Sequence, residues 1–262
     1  MSLWGDILLS EIESFQVEHG KIVLWFLGGC GFVMKTPEQT IYIDPYFGGS
    51  IPKHGVIRMI PVPLEPALIR KADVVLCTHE HEDHCDRDSL SPIYSNTNAE
   101  FVAPKAAVGK MRGWGFDEKR ISEVKPNDEI KMKSLRICAA ESYDPLSEGA
   151  VTYVLETEGA SIFHSGDSWY FEGYLKIGER WNLDIALINF GKNPPGKQLY
   201  MTPCDFFRTA QDLHPRKAVP IHWDMWKHSY QDPIILNDLS RYWEPKFELL
   251  IMRLGDKLVY PT

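Results

Sequence analysis

Residues 78–84, Thr78-His79-Glu80-His81-Glu82-Asp83-His84, follow directly on the apolar run Val74-Val75-Leu76-Cys77. The chain has nine histidines in 262 residues, and a third of them lie in this short window. Imidazole and carboxylate are ligand types for divalent transition metals, and two pairs at this spacing suit two adjacent ions. A merely solvated charge run would carry lysine or arginine too, and this one carries neither. The chemistry expected here is metal-assisted, so further ligands and a pocket must come from elsewhere in the chain.

Polar residues recur where apolar strands end. Asp44 closes Ile41-Tyr42-Ile43-Asp44 ahead of Pro45, and a carboxylate buried there is costly unless something pairs with it. Asp144 stands in the polar loop that follows a strand expected over 134–140. Ala160-Ser161-Ile162-Phe163 runs into His164-Ser165-Gly166-Asp167, where glycine permits a tight turn that returns Asp167 over the strand end. A last apolar strand over 217–221 ends in His222. Carboxyl ends of strands are where open α/β architectures place their sites. His164 lies on the strand itself, and alternation favours a packing role behind the ligands. His19, His54, His214 and His228 have no motif around them and read as exposed or capping residues.

The elements that must position these groups alternate along the chain. Apolar spacing predicts a helix near 4–18, then strands over 21–27, 32–36 and 40–44. Residues 45–66, rich in glycine and proline, read as a long loop of the kind that is usually functional. A short helix over 66–71 leads to a strand over 73–77, which delivers the histidine cluster. Asp86 is placed to cap a helix over 87–94. Further strands are expected over 101–103, 121–124, 134–140, 150–157 and 184–189, with a helix over 105–113 and a turn at 126–129. Thr202 and Pro203 start a helix through His214. A helix over 233–242 and strand-like runs at 247–252 and 258–260 close the chain. The aromatics Trp169, Tyr170, Phe171 and Tyr174 read as core.

At 44% apolar the chain can bury a large core, and with no repeat or linker it reads as one domain over 1–262. No run is long enough to span a membrane and no secretory leader is visible, which predicts a cytoplasmic protein. Five scattered cysteines, Cys30, Cys77, Cys85, Cys138 and Cys204, show no Cys-x-x-Cys pair. They read as reduced thiols rather than a disulfide frame or a cysteine zinc site. The net charge of -8 argues against nucleic acid as a partner. A small anionic substrate remains compatible, since a few local cations would hold it.

His79-x-His81-x-Asp83-His84, with Asp44 before it, Asp167 after it and His222 near the end, resembles the metallo-β-lactamase superfamily. That resemblance implies a four-layer αββα sandwich of two mixed sheets between helices, with metals at one edge. Trp4-Gly5, Pro126 with Asp128, His164-Ser165-Gly166-Asp167-Ser168, Asn193-Pro194 with Gly196, and Pro220-Ile221-His222-x-Asp224-x-Trp226 resemble the bacterial L-ascorbate-6-phosphate lactonase branch. Tyr143-Asp144-Pro145 stands where the superfamily usually has a histidine, so Asp144 is the candidate ligand there.

The resemblance implies that His79, His81 and Asp144 hold one divalent ion, that Asp83, His84 and His222 hold another, and that Asp167 bridges them. Two such ions lower the pKa of a shared water, and a metal-bound hydroxide then attacks a lactone or small ester, phosphorylated or not. Asp83 and Asp167 are the catalytic candidates, and Asp83 can also accept a proton. Asp144 shifts its ion from zinc towards manganese or iron, and the branch also implies manganese. Asp44 is expected behind the ligands, fixing an imidazole tautomer. For substrate holding the candidates are Lys192, Asn193, Tyr200 and Trp223. The branch further implies a homo-oligomer. A phosphodiesterase and a noncatalytic metal-binding protein are the alternative functions. Loops after Asp44 and Asp144 are shorter than expected for the lactonase branch, which leaves the substrate open.

Overall fold

The computed structural model describes residues 3–262. Its first sheet is built from β1 (Ile22–Gly28), β2 (Gly31–Lys35), β3 (Thr40–Ile43), β4 (Val74–Leu76), β5 (Glu100–Pro104) and β6 (Ile121–Val124), closed by the C-terminal β14 (Lys257–Tyr260). The spatial order is β14-β1-β2-β3-β4-β5-β6. Pairing is antiparallel from β14 to β3 and parallel from β3 to β6. The second sheet contains β7 (Glu129–Met132), β8 (Leu135–Glu141), β9 (Val151–Glu156), β10 (Ser161–His164), β11 (Ile185–Asn189), β12 (Lys217–Ile221) and β13 (Glu248–Leu249). It runs β13-β12-β11-β10-β9-β8-β7, parallel from β13 to β10 and antiparallel beyond.

Side-chain alternation produces the layering. Along β1, Ile22, Leu24 and Phe26 enter the core between the sheets, together with Ile137, Ile162, Leu187 and Val219 of the second sheet. Val23, Trp25 and Leu27 face the other way, onto α1 (Leu3–Ser14), α2 (Arg87–Asn96) and α3 (Lys105–Gly113). Ala186 and Ile188 of β11 likewise meet α4 (Gly173–Arg180), α5 (Pro203–Leu213) and α6 (Ile234–Trp243). Strands covered on both faces are nearly continuous apolar runs, and β1 and β11 are buried throughout. The αββα arrangement is therefore present as expected.

Several elements differ from the sequence reading. α1 stops at Ser14, where the buried Lys35 ammonium donates to the carbonyls of Ile12 and Phe15 at 2.7 and 2.8 Å. The turn at 126–129 opens into β7, whose side chains alternate between exposed and half-buried. α4 begins at Gly173 with no side-chain cap, so it carries none of the usual start signals. Gly178 inside it is needed for packing, because an added Cβ would fall 2.0 Å from the Asp212 carbonyl oxygen. The helix expected at 66–71 is a single 3-10 turn, Pro66–Leu68, and the strand expected at 247–252 keeps only two residues.

Candidate metal centre

The loops after β3, β4, β8, β10 and β12 converge at one edge of the two sheets. Two residues adopt left-handed backbone conformations there, Asp44 at φ 43° and His222 at φ 64°. Non-glycine residues in this region carry strain that clusters at functional sites.

Asp44 is fully buried and organises the imidazoles behind it. Its carboxylate accepts from the Thr78 amide, the Thr78 hydroxyl and His84 Nδ1, each at 2.7 Å. Since the Thr78 proton goes to Asp44, His79 Nδ1–H donates to Thr78 Oγ1 at 3.0 Å. The Nδ1 atoms of both histidines are thus engaged at the back, and their Nε2 atoms face the opening. His79 Nε2 lies 2.9 Å from His81 Nδ1 and 3.9 Å from Asp167 Oδ2. On the other side, His84 Nε2 and His222 Nε2 each lie 3.4 Å from Asp167 Oδ1. Asp83 approaches the same pair, at 3.7 Å from His84 and 3.4 Å from His222, and accepts from Trp226 Nε1 at 2.7 Å. Asp167 therefore sits between two imidazole pairs.

Charge follows this geometry. Burial and the neighbouring His84 push His79 down to about 3, so it is neutral. Burial disfavours protonated His84, but Asp167, Asp44 and Asp83 outweigh it and hold this imidazole well above its usual value. Burial also opposes ionised Asp167, yet His222, His84 and His79 keep it well below the ordinary carboxylate range. Asp144 is raised to about 6 by burial and by Asp167.

These residues suit divalent cations. His84 Nε2 and Asp144 Oδ2 are buried without a hydrogen-bond partner, a condition that is costly unless an ion or water satisfies them. Two donor groups stand out among the described residues: His79, His81 and Asp167, and Cys30, His84, Asp167 and His222. Cys30, which the sequence reading treated as a scattered thiol, lies in the turn between β1 and β2, with Sγ 3.6 Å from Asp167 Oδ1. Cys85, beside the histidine cluster, turns instead into the helix-side core.

A model of the beta-lactamase superfamily domain matches residues 39–223. The chain belongs to the metallo-β-lactamase superfamily. Within it, the chain lies in the branch of the Escherichia fergusonii protein named "Probable L-ascorbate-6-phosphate lactonase UlaG", at 30% identity over 98% of this chain and 86% of the relative. Among solved structures, the metallo hydrolase Igni18 from the archaeon Ignicoccus hospitalis is similar in fold, with a TM-score of 0.74. It is 20% identical and the match covers 92% of this chain and 99% of that one. The isothiocyanate hydrolase from Delia radicum gut bacteria also matches at a TM-score of 0.74, with 19% identity over 90% of this chain and 98% of that one. The protein is a hydrolase of the metallo-β-lactamase fold, a fold that implies divalent metal ions. No helix among the described residues is long and apolar enough to cross a membrane.

The cavity over the site, about 780 Å³, takes in part of the set expected to hold substrate. Tyr200 lines it; Lys192, Asn193 and Trp223 do not. Asn193 is consumed by its own loop, donating to the Tyr200 carbonyl and accepting from the Leu199 and Tyr200 amides. Trp223 is buried against the second sheet's helices and donates to Pro220. The cations that do reach the cavity are Lys53 and Lys110, beside His54 and His228. His164 faces away from the cavity: its Nε2–H donates to the Cys30 carbonyl at 2.9 Å, and its Nδ1 accepts from the Gly166 amide at 3.1 Å.

Proposed function

We propose that the protein is a metal-dependent hydrolase that opens a lactone or cleaves a small ester. His79, His81 and Asp144 would hold one divalent ion, Asp83, His84 and His222 a second, and Asp167 would be shared. The observation that carries this reading is Asp167, whose two oxygens face different imidazole pairs at 3.4 and 3.9 Å. Bound divalent ions supply an activated water near neutral pH and polarise the scissile oxygen.

The chain's own groups do the remainder. Asp44 and Thr78 fix His84 and His79 with their Nε2 atoms forward. Asp83, steadied by Trp226, is placed to take a proton from the attacking water. Ile51, Val56, Leu146 and Leu199 give the cavity apolar walls, while Lys53 and Lys110 bring positive charge to it. Both ammonium groups are shared, Lys53 with the Glu82 carboxylate at 2.6 Å and Lys110 with the Glu80 carbonyl. A small substrate with at most modest negative charge suits such a cavity. The named activity of the Escherichia fergusonii relative supports a lactone, phosphorylated or not. The Asp144 carboxylate favours manganese or iron(II) on the His79 side. The same reading takes residues 1–262 as one domain acting in the cytoplasm as a homo-oligomer.

The deciding experiment strips the protein of metal and assays lactones, phosphodiesters and thioesters with manganese or zinc restored. Lactone hydrolysis should return only with metal and be lost in Asp167→Asn. Metal-independent turnover, or an Asp167→Asn enzyme as active as wild type, rules the reading out.

A further inference from the structure

The geometry points to a thiolate at the second metal position: Cys30 joins His84, His222 and Asp167 in holding that ion. This rests on the two-metal reading above and assigns a ligand that the histidine motif does not contain. The donor atoms of the four residues all lie within 4.8 Å of one another. Measured from Asp167 Oδ1, His84 Nε2 and His222 Nε2 are at 3.4 Å and Cys30 Sγ is at 3.6 Å. At ordinary zinc bond lengths, neighbouring donors in a four- or five-coordinate set stand roughly 3–3.7 Å apart. All three separations fall within this window. His84 Nε2, completely buried, has no hydrogen-bond partner.

The position of Cys30 is also held from outside its own hairpin. The Gly29 carbonyl accepts from the His222 amide at 2.8 Å, and the Gly29 amide donates to Asp224 at 2.9 Å. The Cys30 carbonyl accepts from His164 Nε2 at 2.9 Å. Three bonds from the second sheet and its loops thus seat a turn of the first sheet beside the site. Asp83 keeps its place in the same set: its oxygens lie 3.4 Å from His222 Nε2 and 3.7 Å from His84 Nε2 while it accepts from Trp226, so Cys30 adds a donor rather than replacing one.

Two consequences follow. With the thiolate added to two imidazoles and two carboxylates, this donor set is softer than that on the His79 side, so it selects zinc or cobalt over manganese. The protein donors also fill the second position, which leaves the exchangeable place for water to the His79–His81 side. Binding the ion displaces the thiol proton to solvent.

Cobalt(II) titrated into the metal-stripped full chain tests this. The parent is a Cys204→Ser variant, because Cys204 is exposed and could bind cobalt on its own. A thiolate-to-cobalt charge-transfer band should appear in the near ultraviolet as the second site fills. It should vanish in Cys30→Ser and Cys30→Ala, whose affinity for the second equivalent should fall roughly tenfold or more. Two bound equivalents with visible cobalt bands but no charge-transfer band would overturn the thiolate and leave the two-metal reading intact. No cobalt binding at all would overturn both. Because the band is read in the parent, the test survives a Cys30 variant that fails to fold.

Discussion

Single atoms decide much of how the site is held. Trp226 donates to the Asp83 carboxylate while its ring packs with Tyr46, Ile51 and Met225. Trp226→Phe keeps the ring and loses the N–H, a bond worth about 1.5–3 kcal/mol to a charged acceptor. Steady-state kinetics should show kcat down by roughly 10–100-fold with the fold intact by circular dichroism; an unchanged kcat would show that Asp83 needs no steadying. Gly166, at φ 52°, leaves no room for a side chain: an added Cβ would lie 2.7 Å from Thr78 Oγ1. Gly166→Ala should destabilise the protein by about 1–3 kcal/mol in urea unfolding. Because Thr78 also bonds Asp44, metal affinity should fall with it. The residues legible in the sequence were those of unusual density, 79–84, and those closing apolar strands. Cys30 was not legible, because a lone cysteine between glycines has no spacing to betray it. Lys53 and Lys110 were missed for a related reason: they reach the cavity through the path of a loop and a helix face, which local pattern does not encode.

The elements position the site through connections rather than through sheet pairing alone. Residues 45–65 form the longest wall without a strand of the main sheets, and Arg58 fastens them. Its guanidinium donates to the carbonyls of Gly48, Ile60 and Pro61 and lies over the Tyr46 ring. The backbone bonds Met59 to Met225 and Lys227 to Ile57 tie the same segment to the loop carrying Trp226. Arg58→Met should loosen this wall while leaving the metal donors in place. A KM raised roughly tenfold, equivalent to about 1.4 kcal/mol, with unchanged metal content by elemental analysis, is the expected result. Most strands were legible because burial on both faces demands continuous apolar runs. β7 was missed because its alternating Glu129-Ile130-Lys131-Met132 begins inside a polar turn. α4 was missed because it lacks a cap and begins at a glycine.

For the whole molecule, the proposed donors come from both sheets: His79, His81 and His84 follow β4 of the first, while Asp144, Asp167 and His222 follow β8, β10 and β12 of the second. Any bound ion is therefore a joint between the two layers. An ion present at 100 times its dissociation constant adds about 2.7 kcal/mol, so chelation should lower Tm by roughly 5–10 °C per ion in a chain of this size. Without metal, His84 and His222 are held above their ordinary values and Asp167 below it. The carboxylate's contribution is lost as pH falls below its ordinary range. The contribution of the imidazoles is present at mildly acidic pH and lost as pH rises. His79, buried neutral, opposes them below its ordinary value, because only the unfolded chain takes up that proton. Scanning calorimetry should accordingly find the metal-free protein weakening from neutral towards alkaline pH, with metal-loaded protein showing no such alkaline decline. A chain whose layers are joined this way would meet metal scarcity first as a shortened lifetime: opened copies become substrates for proteolysis, and supply of a trace element sets how many molecules survive before it sets how fast each one works.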